Sequence, residues 1–253
     1  MNPVASIAGM HRLTPGRPGI RLYCFPFAGG SAAAYRPWAA LLPEVDLVSF
    51  QLPGRAERLG EDPVTDLRSM VPGLATTIAA DLDGRPYALF GHSMGTILAY
   101  EVAAELARLD VAAPRLLAVS GRRAPHVVDP EFVPYHPMPD DAFLARIEAL
   151  GGIPPQLAEH RDLIELMLPT LRADFTAVET YRANVGERLA CPIAVFGGVD
   201  DPDSPPATLL PWAELTTAPT TVHTYDGGHF FLLDHAVEVT SAIAAALGRT
   251  TAG

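Results

Sequence analysis

Residues 87–96 read Tyr87-Ala88-Leu89-Phe90-Gly91-His92-Ser93-Met94-Gly95-Thr96. A short apolar run enters a Gly-x-Ser-x-Gly turn, and a helical pattern leaves it from Thr96 to Leu109. The five-residue pattern alone is weak, since it arises by chance in many chains and an ordinary Gly-Ser turn would satisfy it. The strand before it and the helix after it supply the meaning. A strand-to-helix turn this tight leaves no room for a Cβ at Gly91 or Gly95. It lifts the hydroxyl of Ser93 out at the C-terminal edge of a sheet. The helix starts beside that hydroxyl, so its unpaired N–H groups favour a developing negative charge there. Ser93 is therefore expected to be a nucleophile.

Working outward, further apolar runs recur at residues 20–25, 45–50, 116–119, 192–196 and 220–225. Helical patterns lie between or after them, at 35–42, 65–82, 206–215 and 230–247. Strands alternating with helices predict βαβ units on a mostly parallel sheet flanked by helices. With the serine turn, this gives an α/β class of the α/β-hydrolase type. The rhythm breaks from Arg122 to about Gly186, where the helical patterns 140–150 and 157–181 are separated by Pro- and Gly-rich joints. A helical insertion of about 122–186, placed as a lid over the site, is expected; plain helical decoration is the alternative. Residues 1–18 carry no periodicity and read as a loose arm. The 253 residues suit one domain spanning 1–253.

A serine hydroxyl needs a base, and in this fold the order along the chain is Ser, then Asp or Glu, then His. His229, in Asp226-Gly227-Gly228-His229-Phe230, follows the last strand and precedes the last helix. His223 falls inside a strand pattern and His235 on a helix, which makes them weaker bases. His92, inside the turn, is expected to point away from the hydroxyl. The acid should follow the strand 192–196, where Gly197-Gly198-Val199-Asp200-Asp201-Pro202-Asp203 offers three carboxylates. Gly-x-x-Asp spacing fits both Asp200 and Asp201. Asp201 is preferred, because a residue before proline is biased toward extended backbone. An oxyanion hole needs two backbone N–H groups. Met94 supplies one, and the loop Phe25-Pro26-Phe27-Ala28-Gly29-Gly30-Ser31 the other, through Ala28 or alternatively Phe27. Those glycines are not followed by Lys-Ser/Thr, so a phosphate-cradling loop is the poorer reading.

Composition narrows the partners. The net charge of −11 argues against nucleic acid and against docking on anionic lipid. No run approaches the apolar length of a membrane span, and no leader-like segment opens the chain. The two cysteines, Cys24 and Cys191, are not spaced as a metal or redox pair. Structural thiols in a cytoplasmic protein, with no metal and no cofactor, are expected.

Taken together, these segments resemble the type II thioesterases of polyketide and nonribosomal peptide synthesis, from about Leu22 to Leu247. The resemblance rests on Phe25–Gly30, on Gln51-Leu52-Pro53-Gly54-Arg55 with Arg58, and on Phe90–Gly95. It rests equally on Leu150-Gly151-Gly152-Ile153-Pro154, Leu168–Phe175 and Asp226–Phe230. It implies hydrolysis of stalled or aberrant acyl groups from the phosphopantetheine arm of carrier proteins, by a transiently docking monomer. It also supports Asp201 as the acid. Thr96 stands where the family often has Gly or Ala, and little consequence is expected. Carrier proteins of this kind are acidic, so a local basic patch is expected near the entrance, from Arg55, Arg58, Arg122 and Arg123. A small-molecule esterase or lipase, an excised macrocyclising thioesterase and a catalytically silent binding protein are the alternatives.

Overall fold

Seven short strands carry the architecture in a computed structural model that describes residues 9–153, 160–184 and 186–249. They are β1 (Gly9–Arg12), β2 (Arg21–Phe25), β3 (Asp46–Gln51), β4 (Tyr87–His92), β5 (Leu117–Ser120), β6 (Ile193–Gly198) and β7 (Thr220–Tyr225). Their order across the sheet is β1-β3-β2-β4-β5-β6-β7. All neighbours run parallel except β1, which pairs antiparallel with β3. Seven helices accompany them among the described residues: α1 (Trp38–Leu41), α2 (Leu67–Asp81), α3 (Met94–Arg108), α4 (Asp140–Ala149), α5 (Arg161–Thr180), α6 (Phe231–Asp234) and α7 (Ala236–Arg249). This is the α/β-hydrolase arrangement.

Both faces of the central strands are buried, which is why they read as continuous apolar runs rather than alternating ones. Alternation survives in where each side chain goes. Tyr23, Phe25, Val48, Phe50, Leu89, Leu117 and Val119 pack on one face with α2 and α3. Leu22, Cys24, Leu47, Ala88, Phe90 and Ala118 pack on the other with α1 and α7. A third, smaller apolar cluster of Tyr135, Phe143, Ile147 and Leu171 belongs to the helical segment between β5 and β6. No strand is found there among the described residues.

Four expectations are corrected. The loose arm contains β1, an edge strand whose four residues have no alternation to betray them; residues 1–8 lie outside the described residues. The helix expected at 35–42 is a 3₁₀ turn (Ala32–Tyr35) followed by the single turn α1. The helix expected at 206–215 is two 3₁₀ pieces, with Pro206 and Pro211 near their starts. The last helix is divided into α6 and α7. Residues 157–159 of the expected helix 157–181 lie outside the described residues. No described helix is long and apolar enough to cross a membrane.

Strand order reverses between β2 and β4, which lie side by side while their outward connections run in opposite directions. A crevice forms at the C-terminal ends of strands at such a switch point. The loop after β2 and the turn after β4 meet there.

Candidate active site

The turn after β4 is strained in the way its sequence requires. Ser93 has φ 54° and ψ −117°, a conformation costly for any residue with a Cβ. Neighbouring contacts impose it. The Ser93 N–H donates to the Ser120 carbonyl at 2.8 Å. A Cβ on Gly91 would lie 2.0 Å from the Gly95 carbonyl oxygen, and one on Gly95 2.2 Å from that of Phe25. Thr96 contributes more than its departure from the family pattern suggested. Its hydroxyl, fully buried, lies 2.9 Å from the Gly91 carbonyl oxygen and 2.8 Å from that of Ser120, and accepts from the Ser120 N–H. It thereby ties the turn to β5.

Ser93 Oγ lies 2.9 Å from Nε2 of His229, and Nδ1 of His229 lies 2.8 Å from Oδ2 of Asp201. The other Asp201 oxygen accepts from the Asp203 N–H at 3.0 Å. Asp201 is 2% exposed and His229 7%, whereas Asp200 is exposed. The carboxylate before the proline is the one brought to the imidazole. The two loops can meet because their glycines leave room: a Cβ on Gly198 would lie 2.3 Å from the Gly228 carbonyl oxygen.

The other candidate histidines are occupied elsewhere. His223 stacks on Phe196, and His235 approaches the Asp226 carbonyl. His92 is fully buried and pairs through Nδ1 with the Ser120 hydroxyl at 3.0 Å. Burial, followed by the neighbouring His229, holds its pKa well below the ordinary histidine value. Burial pushes both cysteine thiols up, Cys191 to about 12.

On the opposite side of Ser93, Met94 is the first residue of α3, so its N–H has no acceptor within the helix. In the loop after β2, Gly29 N–H donates to Asp174 and Gly30 N–H to the Phe27 carbonyl. Ala28 borders the cleft together with Ser93 and His229.

That cleft is narrow, about 30 Å³. Phe27, Phe132, Ile147, Leu150 and Phe230 make its apolar walls, and Arg122, Glu179 and Asp203 its polar end. A larger groove of about 430 Å³ adjoins it and shares Arg122, Phe132, Val178, Glu179 and Asp203. The helical segment thus contributes Phe132, Ile147, Leu150, Phe175, Val178 and Glu179 to the lining of the cleft. It is held at Asp203, whose carboxylate accepts from the Tyr135 hydroxyl at 2.7 Å.

Of the expected basic patch, Arg122 and Arg123 border the groove, whereas Arg55 and Arg58 are engaged elsewhere. Arg55 is 6% exposed and grips Asp174 with two 2.7 Å bonds. Arg58 bonds the Gln51 carbonyl and Glu61, and Arg123 pairs with Asp129 and the Asp203 carbonyl. Arg122 borders the cleft and the groove, where burial lowers its pKa. Nothing local in the sequence marked Asp174, 119 residues away from Arg55, as the partner that draws the arginine inward.

The parallel sheet with its reversal of strand order, the strained serine turn and the hydrogen-bonded histidine define a serine hydrolase of the α/β-hydrolase class. Within that class the chain belongs to the thioesterase family: the thioesterase domain model matches residues 20–247. It is 39% identical over 217 residues to the protein named linear gramicidin dehydrogenase LgrE of Brevibacillus parabrevis, covering 84% of this chain and 82% of that one. It is 36% identical over 226 residues to thioesterase PikA5 of Streptomyces venezuelae, covering 88% and 79%. Among solved structures, the type II thioesterase BorB from the borrelidin biosynthetic cluster superposes with a TM-score of 0.86 at 36% identity. The match covers 94% of this chain and 97% of BorB.

Proposed function

We propose that this thioesterase is a discrete editing enzyme. It hydrolyses stalled or aberrant acyl groups from the phosphopantetheine arm of acyl or peptidyl carrier proteins, through an acyl-Ser93 intermediate. The observation that carries the reading is the continuous line from Ser93 Oγ through His229 to Asp201, at 2.9 and 2.8 Å, at a cleft that the helical segment helps to line. We read residues 1–253 as one hydrolase domain with 122–186 as its lid, working as a monomer that meets its carriers transiently.

In the acylation half, His229 Nε2 takes the Ser93 proton as Oγ attacks the thioester carbonyl. The negative charge moves to the carbonyl oxygen, held by the N–H groups of Met94 and Ala28. Asp201 keeps Nδ1 protonated and stabilises the imidazolium. Collapse breaks the C–S bond, and the departing thiolate takes the proton from His229. A thiolate leaves readily, so this protonation matters less than it would for an amide. In the second half, water loses a proton to His229 as it attacks the acyl-serine. The C–O bond to Oγ breaks, the proton returns to Oγ, and the free acid departs.

The −11 net charge disfavours long-range attraction to acidic carriers, which suits brief sampling of many of them. The 430 Å³ groove beside the narrow cleft supports room for an arm or acyl chain once the two join. The test is a panel of acyl-loaded carriers with matching oxygen esters, given to wild type and to Ser93→Ala. Faster release from the carriers, lost in the variant, is expected. Faster turnover of the oxygen esters would overturn the carrier assignment in favour of a small-molecule esterase.

A further inference from the structure

The buried ion pair between Arg55 and Asp174 lies outside the triad, yet it is bonded to the loop that carries Ala28. Asp174, on α5 of the lid, is 1% exposed. Its Oδ1 accepts from Arg55 Nη2 at 2.7 Å, and its Oδ2 accepts from Arg55 Nη1 at 2.7 Å and from the Gly29 N–H at 2.7 Å. The same Arg55 Nη1 donates to the Gly30 carbonyl at 3.2 Å. Guanidinium and carboxylate thus clasp both peptide groups that flank the Gly29–Gly30 pair. Charge-assisted bonds of this bidentate kind fix geometry as well as contribute energy.

The surrounding contacts come from the same stretch of α5. A Cβ on Gly29, which has φ +74°, would lie 2.4 Å from Leu171 Cδ2. The Thr170 hydroxyl donates to the Gly54 carbonyl, next to Arg55. Thr170, Leu171 and Asp174 share one face of the helix, and that face seats on the loop. Side chains from the lid and from the turn after β3 therefore hold the loop, alongside its own Gly30 N–H bond to Phe27.

We propose that Asp174, with Arg55, is a positioning residue for the oxyanion hole. By fixing the Gly29 N–H and the Gly30 carbonyl, the pair sets the preceding peptide so that the Ala28 N–H faces the carbonyl oxygen of an acyl group bound at Ser93. The hole is complete only while α5 is seated, so lid position and transition-state stabilisation are coupled. The proposal rests on the acyl-serine reading above.

The experiment separates the two. Asp174→Ala and Asp174→Asn are compared with wild type in three measurements. These are kcat and KM on an acyl-pantetheine thioester, inhibition by a trifluoromethyl ketone that adds to Ser93 to give an oxyanion, and the Kd of a non-hydrolysable thioether analogue. For Asp174→Ala the expected result is a fall in kcat of about 10- to 100-fold with KM within about threefold, a fraction of what losing an oxyanion donor outright costs. Ketone affinity falls by the same factor, and thioether affinity holds. Asp174→Asn, which keeps an acceptor for the Gly29 N–H, recovers most of both losses. Ketone affinity within twofold of wild type would overturn the proposal, as would equal losses for ketone and thioether. Should Asp174→Ala fail to fold, Asp174→Asn and Arg55→Lys carry the test: matched losses of about 3- to 10-fold in kcat and ketone affinity support it, and unmatched ones refute it. If wild type itself does not add the ketone at Ser93, the acyl-serine reading falls instead.

Discussion

The two ends of the sheet both bury charge, but they dispose of it differently. At the N-terminal ends of β2 and β3, Arg21 and Asp46 are 2% and 1% exposed and bond at 2.8 Å. Arg21 also bonds Asp81, which takes the Tyr23 hydroxyl and pairs with Arg12, while Asp46 faces Arg12 and Arg85 as well. Each carboxylate there meets more than one cation. At the C-terminal ends, Asp201 is equally buried but meets only an imidazole and one backbone N–H. At the first end each carboxylate is held by several guanidiniums. One that faces a single imidazole stabilises charge when that imidazole gains a proton. Under the proposed mechanism, the second end is the one where a charge appears and disappears during turnover.

The sharpest way to break this contrast is at the serine. Ser93→Ala is expected to lower kcat by roughly 10⁴-fold or more, because removing a nucleophile disables the unit it belongs to. Steady-state assay on an acyl thioester, with thermal unfolding to show an intact fold, checks it. Next comes the acid. Asp201→Asn should cost about 10³- to 10⁴-fold by leaving the imidazole in the wrong tautomer, while the exposed Asp200, given the same change, should stay within about twofold of wild type. A larger loss at Asp200 would reassign the acid.

The N-terminal end of the strands should give the reverse pattern. Asp46→Asn leaves Arg21 short of its buried counter-charge and is expected to cost about 3 kcal/mol of stability in denaturant titration. The kcat of the folded fraction should stay within about twofold. A smaller effect belongs to His92, whose folded pKa is depressed by burial and by His229. The unfolded chain binds a proton near pH 6.5 and the folded one does not, so this contribution is full above that pH and is lost as pH falls below it. The slope is at most about 1.4 kcal/mol per pH unit. His92→Gln should flatten the stability profile below pH 6.5. The smallest effect concerns the thiols. Cys24 and Cys191, buried and with raised pKa values, should resist a thiol reagent at pH 8 until the protein is unfolded, with activity unchanged.

Much of this was legible in the sequence because it is local. The serine turn is written by glycines whose spacing has one steric cause. Asp201 and His229 follow apolar strands that end where the residues change character, and the structure brings them to Ser93. What escaped is what depends on distant partners. Gly9–Arg12 becomes a strand because β3 offers an open edge, and Met10 and His11 say nothing of that alone. Arg55 read as a surface cation because arginines mostly are, and only the folded chain shows Asp174 facing it. Thr96 read as a neutral replacement until β5 supplied the carbonyl that its hydroxyl reaches. The reading of 206–215 as one helix followed periodicity and passed over the two prolines that shorten it.

The most direct test of the account is to trap the intermediate. An acyl-loaded carrier protein is mixed with excess thioesterase, quenched in acid within the first turnover, and the enzyme digested for mass spectrometry. One acyl group on the peptide bearing Gly91–Gly95, with released thiol in equal amount, is expected, and neither with Ser93→Ala. Free acid released at wild-type rate by that variant, or an acyl group found on any other residue, would contradict it.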